Sequence, residues 1–215
     1  MNIGILGTGM VGQTLGTKFV SLGHQVKMGS RSATNEKSAE WVKSNGSKAS
    51  QGTFADAAAF GELVFNCTSG VVSLQALEQA KSENLRGKIL IDCSNPLSFS
   101  ADGQSSLTVC NTDSLAEQIQ RAYPDTKVVK TLNTVNCEVM VNPSIVKGDH
   151  DLFISGNDAA AKAAVSEILK GWLGWKTIID LGDIRTARCT EMLLPVWLRL
   201  YQLFGSPLFN FKIVK

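Results

Sequence analysis

Six residues near the start of the chain have the spacing of a phosphate-binding glycine turn: Gly7, Thr8, Gly9, Met10, Val11 and Gly12. They follow the apolar run 2–6 and precede a helical pattern, which is the strand–turn–helix context that such a turn requires. In this context Gly7 permits the tight turn, Gly9 lets the backbone approach a pyrophosphate, and Gly12 allows close packing of helix on strand. The free amides and the positive end of the helix dipole then face the phosphates. The pattern predicts a dinucleotide site, against the alternative of a purely structural glycine turn.

The residues that follow the second apolar run select the dinucleotide. About 20 residues after the glycines, an NAD site places an acidic residue on the ribose 2′-hydroxyl, but here no carboxylate occurs before Glu36. Arg31 instead offers a planar fork of donors to a 2′-phosphate, and Ser30 can add a hydrogen bond. Lys37 could supply a further charge, and Thr8 lies within reach. The sequence therefore predicts NADP(H), against the alternative of a solvated Ser/Arg turn.

The composition is that of a soluble globular chain with one core, at 215 residues, 44% hydrophobic, 19% charged and net charge +2. No cluster of Lys and Arg is interleaved with aromatics, so we expect no nucleic-acid partner. The first predicted strand starts at residue 2, which leaves no room for a signal peptide, and the most apolar stretch, 192–204, is too short to span a bilayer. Five cysteines form no CxxC motif and two distant histidines suggest no metal site. We expect a cytoplasmic protein without a membrane partner, with Cys67 and Cys93 as small buried hydrophobes in a reducing compartment.

Strand and helix patterns alternate along the chain, which is typical of a parallel sheet with helices on both faces. The predicted strands are 2–6, 25–28, 48–50, 62–67, 87–92, 126–132, 150–155 and 176–180. The predicted helices are 10–22, 34–45, 53–60, 72–83, 112–122, 158–172 and 184–203, and the longest irregular segment is 95–111. The fold class is thus α/β, a Rossmann-like doubly wound, mostly parallel sheet. The whole chain, 1–215, is expected to form one domain.

Residues 184–215 form the predicted C-terminal helix and tail. The helix is apolar nearly all round, and Pro195 would kink it or start a new helical segment. Because a helix without a polar face must bury both sides, we expect it to pack on the sheet and on a second element. That element is a second subunit, which would make a homodimer, a bound ring, or the chain's own tail acting as a lid.

Three polar segments are expected at the carboxyl edge of the sheet, where open α/β sheets bind ligands. They are 68–70, 94–97 and 133–136, and they place Thr68, Ser69, Gly70, Asn95, Asn133 and Thr134 beside the cofactor. None of the segments contains His, Lys, Asp or Glu, so no catalytic residue is assigned. A carbonyl reductase needs a proton donor, whereas a flavin or deazaflavin holds charge in its own ring system. The segments therefore favour hydride transfer between two rings.

Several stretches resemble the family of NADPH-dependent 8-hydroxy-5-deazaflavin (coenzyme F420) oxidoreductases, which includes the cytosolic reductase domain of six-transmembrane metalloreductases. The matching stretches are 3–12, 22–31, 91–96, 128–134 and 188–215. The resemblance implies NADP at Thr8, Ser30, Arg31 and Lys37, with a flavin-like ring stacked over the nicotinamide. Where this chain has Asn133, the archaeal deazaflavin enzymes have a histidine; the metalloreductase domains are more similar there. The resemblance to the metalloreductase domain does not imply metal reduction across a membrane for this chain.

These observations lead to an NADP(H)-dependent oxidoreductase that passes a hydride between NADPH and a small-molecule acceptor, namely deazaflavin, FMN or FAD. One alternative is an NADPH reductase of a small imine or carbonyl. Imine reductases carry a longer helical C-terminal dimerisation domain than the helix and tail here. The other alternative is a non-catalytic NADP(H)-sensing protein.

Replacement of Arg31 by Ala tests the choice of dinucleotide. Loss of a charged hydrogen bond to the 2′-phosphate should cost about 1.5–3 kcal/mol of NADP binding. NAD, which lacks this phosphate, should bind the variant and the unaltered protein equally well. Isothermal titration with both nucleotides measures the difference, and an unchanged preference for NADP over NAD would refute the assignment.

Overall fold

The computed structural model describes residues 1–215 and contains an eight-stranded sheet and a separate two-stranded hairpin. The sheet strands are β1 (Asn2–Leu6), β2 (Gln25–Ser30), β3 (Ala49–Thr53), β4 (Leu63–Asn66), β5 (Ile89–Asp92), β8 (Lys127–Thr131), β9 (Asp151–Gly156) and β10 (Thr177–Gly182). The hairpin consists of β6 (Leu97–Phe99) and β7 (Ser105–Leu107).

Ten α-helices connect or follow these strands. They are α1 (Met10–Ser21), α2 (Glu36–Asn45), α3 (Phe54–Phe60), α4 (Ser73–Ala80), α5 (Ser82–Leu85), α6 (Leu115–Ala122), α7 (Cys137–Val141), α8 (Ala159–Gly171), α9 (Ala187–Met192) and α10 (Leu194–Phe204). Short 3₁₀ turns occur at Gly46–Lys48, Gly70–Val72, Pro143–Ile145 and Ile184–Thr186. No helix combines the length and apolar character needed to cross a bilayer.

The strand order is β10-β9-β8-β5-β4-β1-β2-β3, and only the β8–β9 pair is antiparallel. The chain leaves β1 toward one side of the sheet and returns through β4 on the other. This switch of direction opens a crevice at the carboxyl ends of β1 and β4, the usual ligand position in such folds. The predicted Rossmann-like, doubly wound and mostly parallel sheet is confirmed.

Two apolar cores cover the two faces of the sheet. Along β1, Ile3 and Ile5 enter one core while Leu6 enters the other. In the same way Phe65 and Val64, neighbours on β4, belong to different cores. Such burial on both sides explains why these strands are continuous apolar runs in the sequence.

Side-chain caps set the starts of several helices. Asn35 accepts from the Ser38 amide to start α2, and Thr53 forms a capping box with Asp56 at α3. Asp158 accepts from the Ala161 amide at α8. These contacts satisfy backbone donors that have no acceptor within the helix. In contrast, no side chain caps α1.

Segment 95–111 differs from its predicted irregular course, because it contains the β6–β7 hairpin. Leu97 pairs with Leu107, and Phe99 pairs with Ser105. Each strand has only three residues, which is shorter than the stretch of about 4–8 residues over which apolar alternation marks a half-buried strand. The pairing is therefore invisible in the residue pattern.

The predicted single helix 184–203 is also wrong, since a 3₁₀ turn, α9 and α10 occupy this region. Pro195 lies in the first turn of α10, where its missing N–H has no intrahelical role. It starts a new helical segment, one of the two expected outcomes.

The expectation that this apolar helix packs on the sheet is wrong for α10, of which only Leu194 is buried. The tail covers part of it, since Phe209 stacks on Trp197 with ring centroids 5.3 Å apart. The tail is itself fixed to β9, where the Asp151 amide donates to the Phe211 carbonyl at 2.9 Å. The rest of α10 is open along its apolar side.

Candidate functional site

The glycine turn joins β1 to α1 in a conformation that only glycine adopts easily. Gly7 has φ +118°, and a Cβ there would lie 2.6 Å from the Cys67 carbonyl oxygen. A Cβ at Gly12 would lie 2.4 Å from the Gly7 carbonyl oxygen, so helix and turn meet backbone to backbone. A Cβ at Gly9 would meet nothing within 4 Å, which leaves that position open to a ligand. These are the surroundings expected of a turn that holds phosphates.

The exposed start of α1 supplies the electrostatics. The first amides of a helix lack intrahelical acceptors, and here no side chain caps them and no acidic residue lies in the first turn. Met10, the first helical residue, is exposed. The partial positive charge of the helix end therefore faces open space next to the glycine turn.

A first cavity, which we call the Arg31 cavity, lies beside the turn at the ends of β1 and β2. It is lined by Gly7, Thr8, Gly29, Ser30, Arg31, Ser32, Asn35 and Phe54. Arg31 is exposed and its guanidinium pairs with no carboxylate. The structure thus unites Thr8, Ser30 and Arg31 around a space with one free cation, as an anion site needs.

Ser30, Asn35 and Lys37 differ in how they are placed relative to the Arg31 cavity. The Ser30 hydroxyl donates to the Ser32 carbonyl at 2.6 Å, so it must turn away to donate to a phosphate. Asn35, which sequence reasoning missed, reaches the wall as the cap of α2. Lys37 is not brought into this cavity, because it lines a cleft between α1 and α2.

A second cavity, the hairpin cavity, lies between the start of α1 and the β6–β7 hairpin. Its volume of about 810 Å³ falls within the range of small-molecule sites. The lining residues are Gly9, Met10, Val11, Cys67, Thr68, Ser69, Gly70, Val71, Cys93, Ser94, Asn95, Leu97, Ser98 and Phe99. It therefore collects two of the three polar segments that the sequence places at this edge, together with the glycine turn.

Close backbone packing joins those two segments. A Cβ at Gly70 would lie 1.9 Å from the Asn95 carbonyl oxygen, so only glycine fits against the 94–97 segment. The Asn95 side chain is fixed from behind, since its amide donates to the Asn133 carbonyl at 2.8 Å and its oxygen accepts from the Asn133 amide at 2.9 Å. This pair of hydrogen bonds holds Asn95 at the cavity wall.

The third polar segment, 133–136, lies behind the wall of the hairpin cavity. Asn133 and Thr134 are 4% and 2% exposed, and neither lines the hairpin cavity. The preceding Leu132 has φ +63°, a conformation that costs energy for a branched side chain. The turn after β8 thus places Asn133 where it can orient Asn95, one step removed from the cavity.

A buried charge network lies directly beneath the hairpin cavity. The Lys130 ammonium donates to Asp92 Oδ2 at 2.8 Å and to the Ser94 carbonyl at 2.5 Å, and it lies 2.9 Å from Glu191 Oε1. The three charged side chains are at most 1% exposed. Asp92 also accepts from Asn66 at 2.9 Å. The net charge of the group is −1, and every proton of the ammonium has an acceptor.

Two further links connect this network to the cavity and to the C-terminal helices. The Thr68 hydroxyl, at the cavity wall, donates to Asn66 at 2.8 Å. At the other end the Glu191 carboxylate accepts from the amides of Leu115 and Ala116 at 2.8 and 3.1 Å. Glu191 therefore joins α9 to the start of α6 while neutralising the lysine.

The protonation state of Lys130 follows from these contacts. Burial by itself disfavours the charged ammonium, but the adjacent Asp92 and Glu191 carboxylates outweigh it and raise the pKa of Lys130 above its ordinary value. Lys130 is therefore a fixed cation at neutral pH. It has no free proton to deliver to a ligand in the cavity.

Sequence reasoning missed this network because Asp92 and Lys130 precede the polar segments 94–97 and 133–136 by two and three residues. One signal was present: both are charged residues inside short apolar strands, and they prove to be register partners on β5 and β8. Glu191, from the C-terminal helices, has no such signal. No group of His, Cys, Asp and Glu side chains has the arrangement of a metal site.

Comparison with known proteins identifies the chemistry that this arrangement serves in similar chains. The family model described as NADP oxidoreductase, coenzyme F420-dependent, matches residues 2–96. That range contains the glycine turn, Ser30, Arg31 and most of the hairpin cavity.

Three similar proteins extend the comparison. A crystal structure from Arthrobacter sp. FB24, provisionally described as an F420-dependent NADP-reductase, is 50% identical over 99% of both chains with a TM-score of 0.93. The metalloreductase STEAP3 of Rattus norvegicus is 30% identical over 206 residues, 91% of this chain and 37% of the metalloreductase, so the chain spans just over a third of that relative. A reductive aminase from Aspergillus terreus, solved with NADPH, shares the fold at 20% identity and TM-score 0.67, over 95% of this chain and 62% of the aminase.

Replacement of Lys130 by Met tests the buried network. The variant leaves two carboxylates buried without their cation, which should lower the free energy of unfolding by about 3–5 kcal/mol. Arg121, whose ion pair with Asp113 lies at the surface, provides the matched control; Arg121→Ala should cost about 0–1 kcal/mol. Urea unfolding of both variants measures the difference. If Lys130→Met lowers the free energy of unfolding no more than Arg121→Ala does, the buried network contributes little to stability.

Proposed function

The chain belongs to the family of coenzyme F420-dependent NADP oxidoreductases, and from this premise we propose that it transfers a hydride between NADP(H) and a flavin or deazaflavin acceptor. That it is an oxidoreductase using NADP(H) follows from the family. The acceptor is the proposed part. The observation that carries it is the hairpin cavity, which combines an apolar rim with a wall free of His, Lys, Asp, Glu and Tyr side chains.

The residues fit NADP(H) along the two cavities. The uncapped start of α1 and the open side of Gly9 suit the pyrophosphate. The unpaired guanidinium of Arg31 suits the 2′-phosphate, with Ser30 and Thr8 beside it. The nicotinamide would then enter the hairpin cavity, and when bound it supplies or accepts the hydride.

Exposed apolar side chains surround the mouth of the hairpin cavity. Met10 is 77% exposed, Val71 55% and Phe99 64%. Apolar groups lie in water at a cost unless a ligand covers them, and a planar ring system would cover all three. Phe99 on the hairpin can also stack against such a ring. The rim therefore supports a flat, aromatic acceptor.

The cavity wall, whose titratable side chains are the Cys67 and Cys93 thiols, contains no His, Lys, Asp, Glu or Tyr. The nearby Lys130 cannot replace them, because its three protons are held by Asp92, Ser94 and Glu191. A reductase of a carbonyl or imine needs a proton donor within hydrogen-bond reach. A ring-to-ring transfer needs only that the two rings are held face to face and free of water.

The chain's own residues would then act by position alone. Asn95, held by Asn133, and Ser69 offer hydrogen bonds that can set the orientation of a ring in the cavity. Thr68, held by Asn66, supports the same wall. The description of the Arthrobacter protein as F420-dependent supports a deazaflavin acceptor.

We also propose that the chain forms a homodimer through α10. The open side of this helix and the tail expose Val196, Tyr201, Leu203, Phe204 and Leu208. The tail already occupies the Trp197 side, so a second copy of the chain is the occupant that would bury the remaining apolar surface.

A panel of acceptors tests the proposed reaction. Stopped-flow oxidation of NADPH should be fast with deazaflavin, FMN or FAD and slow with small imines and carbonyls, because the cavity wall has no His, Lys, Asp, Glu or Tyr to protonate the product. Phe99→Ala should raise the KM for the ring acceptor about 2- to 12-fold, the equivalent of one aromatic contact. NADPH affinity should not change.

Ile145→Ala is the matched control, since Ile145 is an exposed apolar residue outside both cavities. Preferred turnover of an imine or carbonyl would instead favour an NADPH reductase of such small substrates. Tight NADPH binding without turnover of any acceptor would favour a sensor.

The dimer is tested by its mass in solution. Light scattering after gel filtration should give twice the 23.1 kDa chain mass, and Leu203→Glu should shift the protein to monomer because it places a charge in the apolar interface. Gln202→Glu, on the same exposed helix, should stay dimeric. Monomeric behaviour of the unaltered protein would exclude this proposal.

A further inference from the structure

Two cysteines follow neighbouring parallel strands at the base of the hairpin cavity. Cys67 comes directly after β4 and Cys93 directly after β5. The residues before them, Asn66 and Asp92, are register partners, and the Cys93 amide donates to the Asn66 carbonyl at 3.0 Å. Neighbouring strands lie about 4.8 Å apart. Disulfides span Cα separations of about 4.4–6.8 Å, so the backbones are close enough for a bond.

The two thiols also point the same way. Asn66 and Asp92 hydrogen-bond each other at 2.9 Å on one face of the sheet, so the next residue of each strand projects to the opposite face. Cys67 and Cys93 both pack against the same apolar core there. The neighbouring Cys67 thiol, together with burial, raises the pKa of the Cys93 thiol well above its usual range.

The pair is reachable from solvent through the hairpin cavity. Both cysteines line its wall, with Cys67 half-buried and Cys93 buried. The proposed hydride transfer uses neither thiol. Cys110, Cys137 and Cys189, the remaining cysteines, do not line this cavity.

We propose that Cys67 and Cys93 are a redox modification site, which small peroxides oxidise to an intramolecular disulfide when the hairpin cavity is empty. The two side chains meet at the end of adjacent strands, and the cavity gives a small oxidant access to the outer one. That bound NADP(H) covers the pair rests on the proposed function, whereas formation of the disulfide does not.

The chemistry balances with one peroxide. The Cys67 thiolate attacks a peroxide oxygen, so an S–O bond forms, the O–O bond breaks, and the leaving hydroxide takes up the proton that the thiol released. The Cys93 sulfur then attacks Cys67, the S–S bond forms and the S–O bond breaks. The second hydroxide leaves with the Cys93 proton as water. Two thiols lose two electrons, and hydrogen peroxide becomes two waters.

The experiment uses the full chain with C110S, C137S and C189S, so that only this pair remains. After treatment with hydrogen peroxide, both thiols should be lost together, and dithiothreitol should restore both. Trypsin cleaves between the two cysteines at Lys81, Arg86 and Lys88, so the disulfide should appear as two linked peptides by mass spectrometry. The unaltered chain, digested in the same way, serves if the triple variant does not fold.

C93S in the same background is the control, and Cys67 should then stop at a sulfenic acid that dimedone labels. The proposal fails if, with both cysteines present, Cys67 is oxidised to sulfinic acid while Cys93 stays a free thiol. It also fails if the disulfide forms only between molecules. Saturating NADP⁺ should slow linkage at least tenfold. Linkage at an unchanged rate would instead contradict the placement of the cofactor in this cavity and leave the disulfide intact as a finding.

Discussion

The buried contact of Lys130 with Asp92 and Glu191 is the constraint on which the rest of the structure depends. It joins the ends of two central strands to a helix from the far end of the chain. Because an unpaired buried charge is costly, the loss of any one of these three side chains would destabilise the contacts of the other two. The same group caps the start of α6 through Glu191 and supports the cavity wall through Asn66.

This arrangement keeps the buried charges apart from the wall of the hairpin cavity. The ionised groups Lys130, Asp92 and Glu191 are paired with one another below the hairpin cavity. The cavity wall itself presents only hydroxyls, amides, thiols and apolar carbon. The unpaired cation Arg31 lines the separate Arg31 cavity, where we propose that the 2′-phosphate of NADP(H) binds. The division suits an oxidoreductase whose cofactor and acceptor carry the reactive rings, since the protein then contributes position and dryness rather than a proton.

Local sequence patterns predicted the sheet and the glycine turn between β1 and α1 well, because both depend on short-range rules. A strand buried on both faces must be a short apolar run, and a turn at φ +118° beneath a crossing backbone must be Gly7. The hairpin at 97–107 was not predicted, and the packing of the last helix on the sheet was predicted wrongly. Strands of three residues are too short to show a periodicity, and α10 packs on the tail, through Trp197 and Phe209, instead of on the sheet.

The sequence by itself determined the fold class, the glycine turn and the absence of a carboxylate after the second strand, since each is a property of adjacent residues. Only the tertiary structure decided which distant groups meet. It joined Glu191 to Lys130, moved Asn133 behind Asn95 and brought Cys67 beside Cys93. These contacts depend on strand order and register, which relate residues tens of positions apart and leave no mark in any short stretch of the chain.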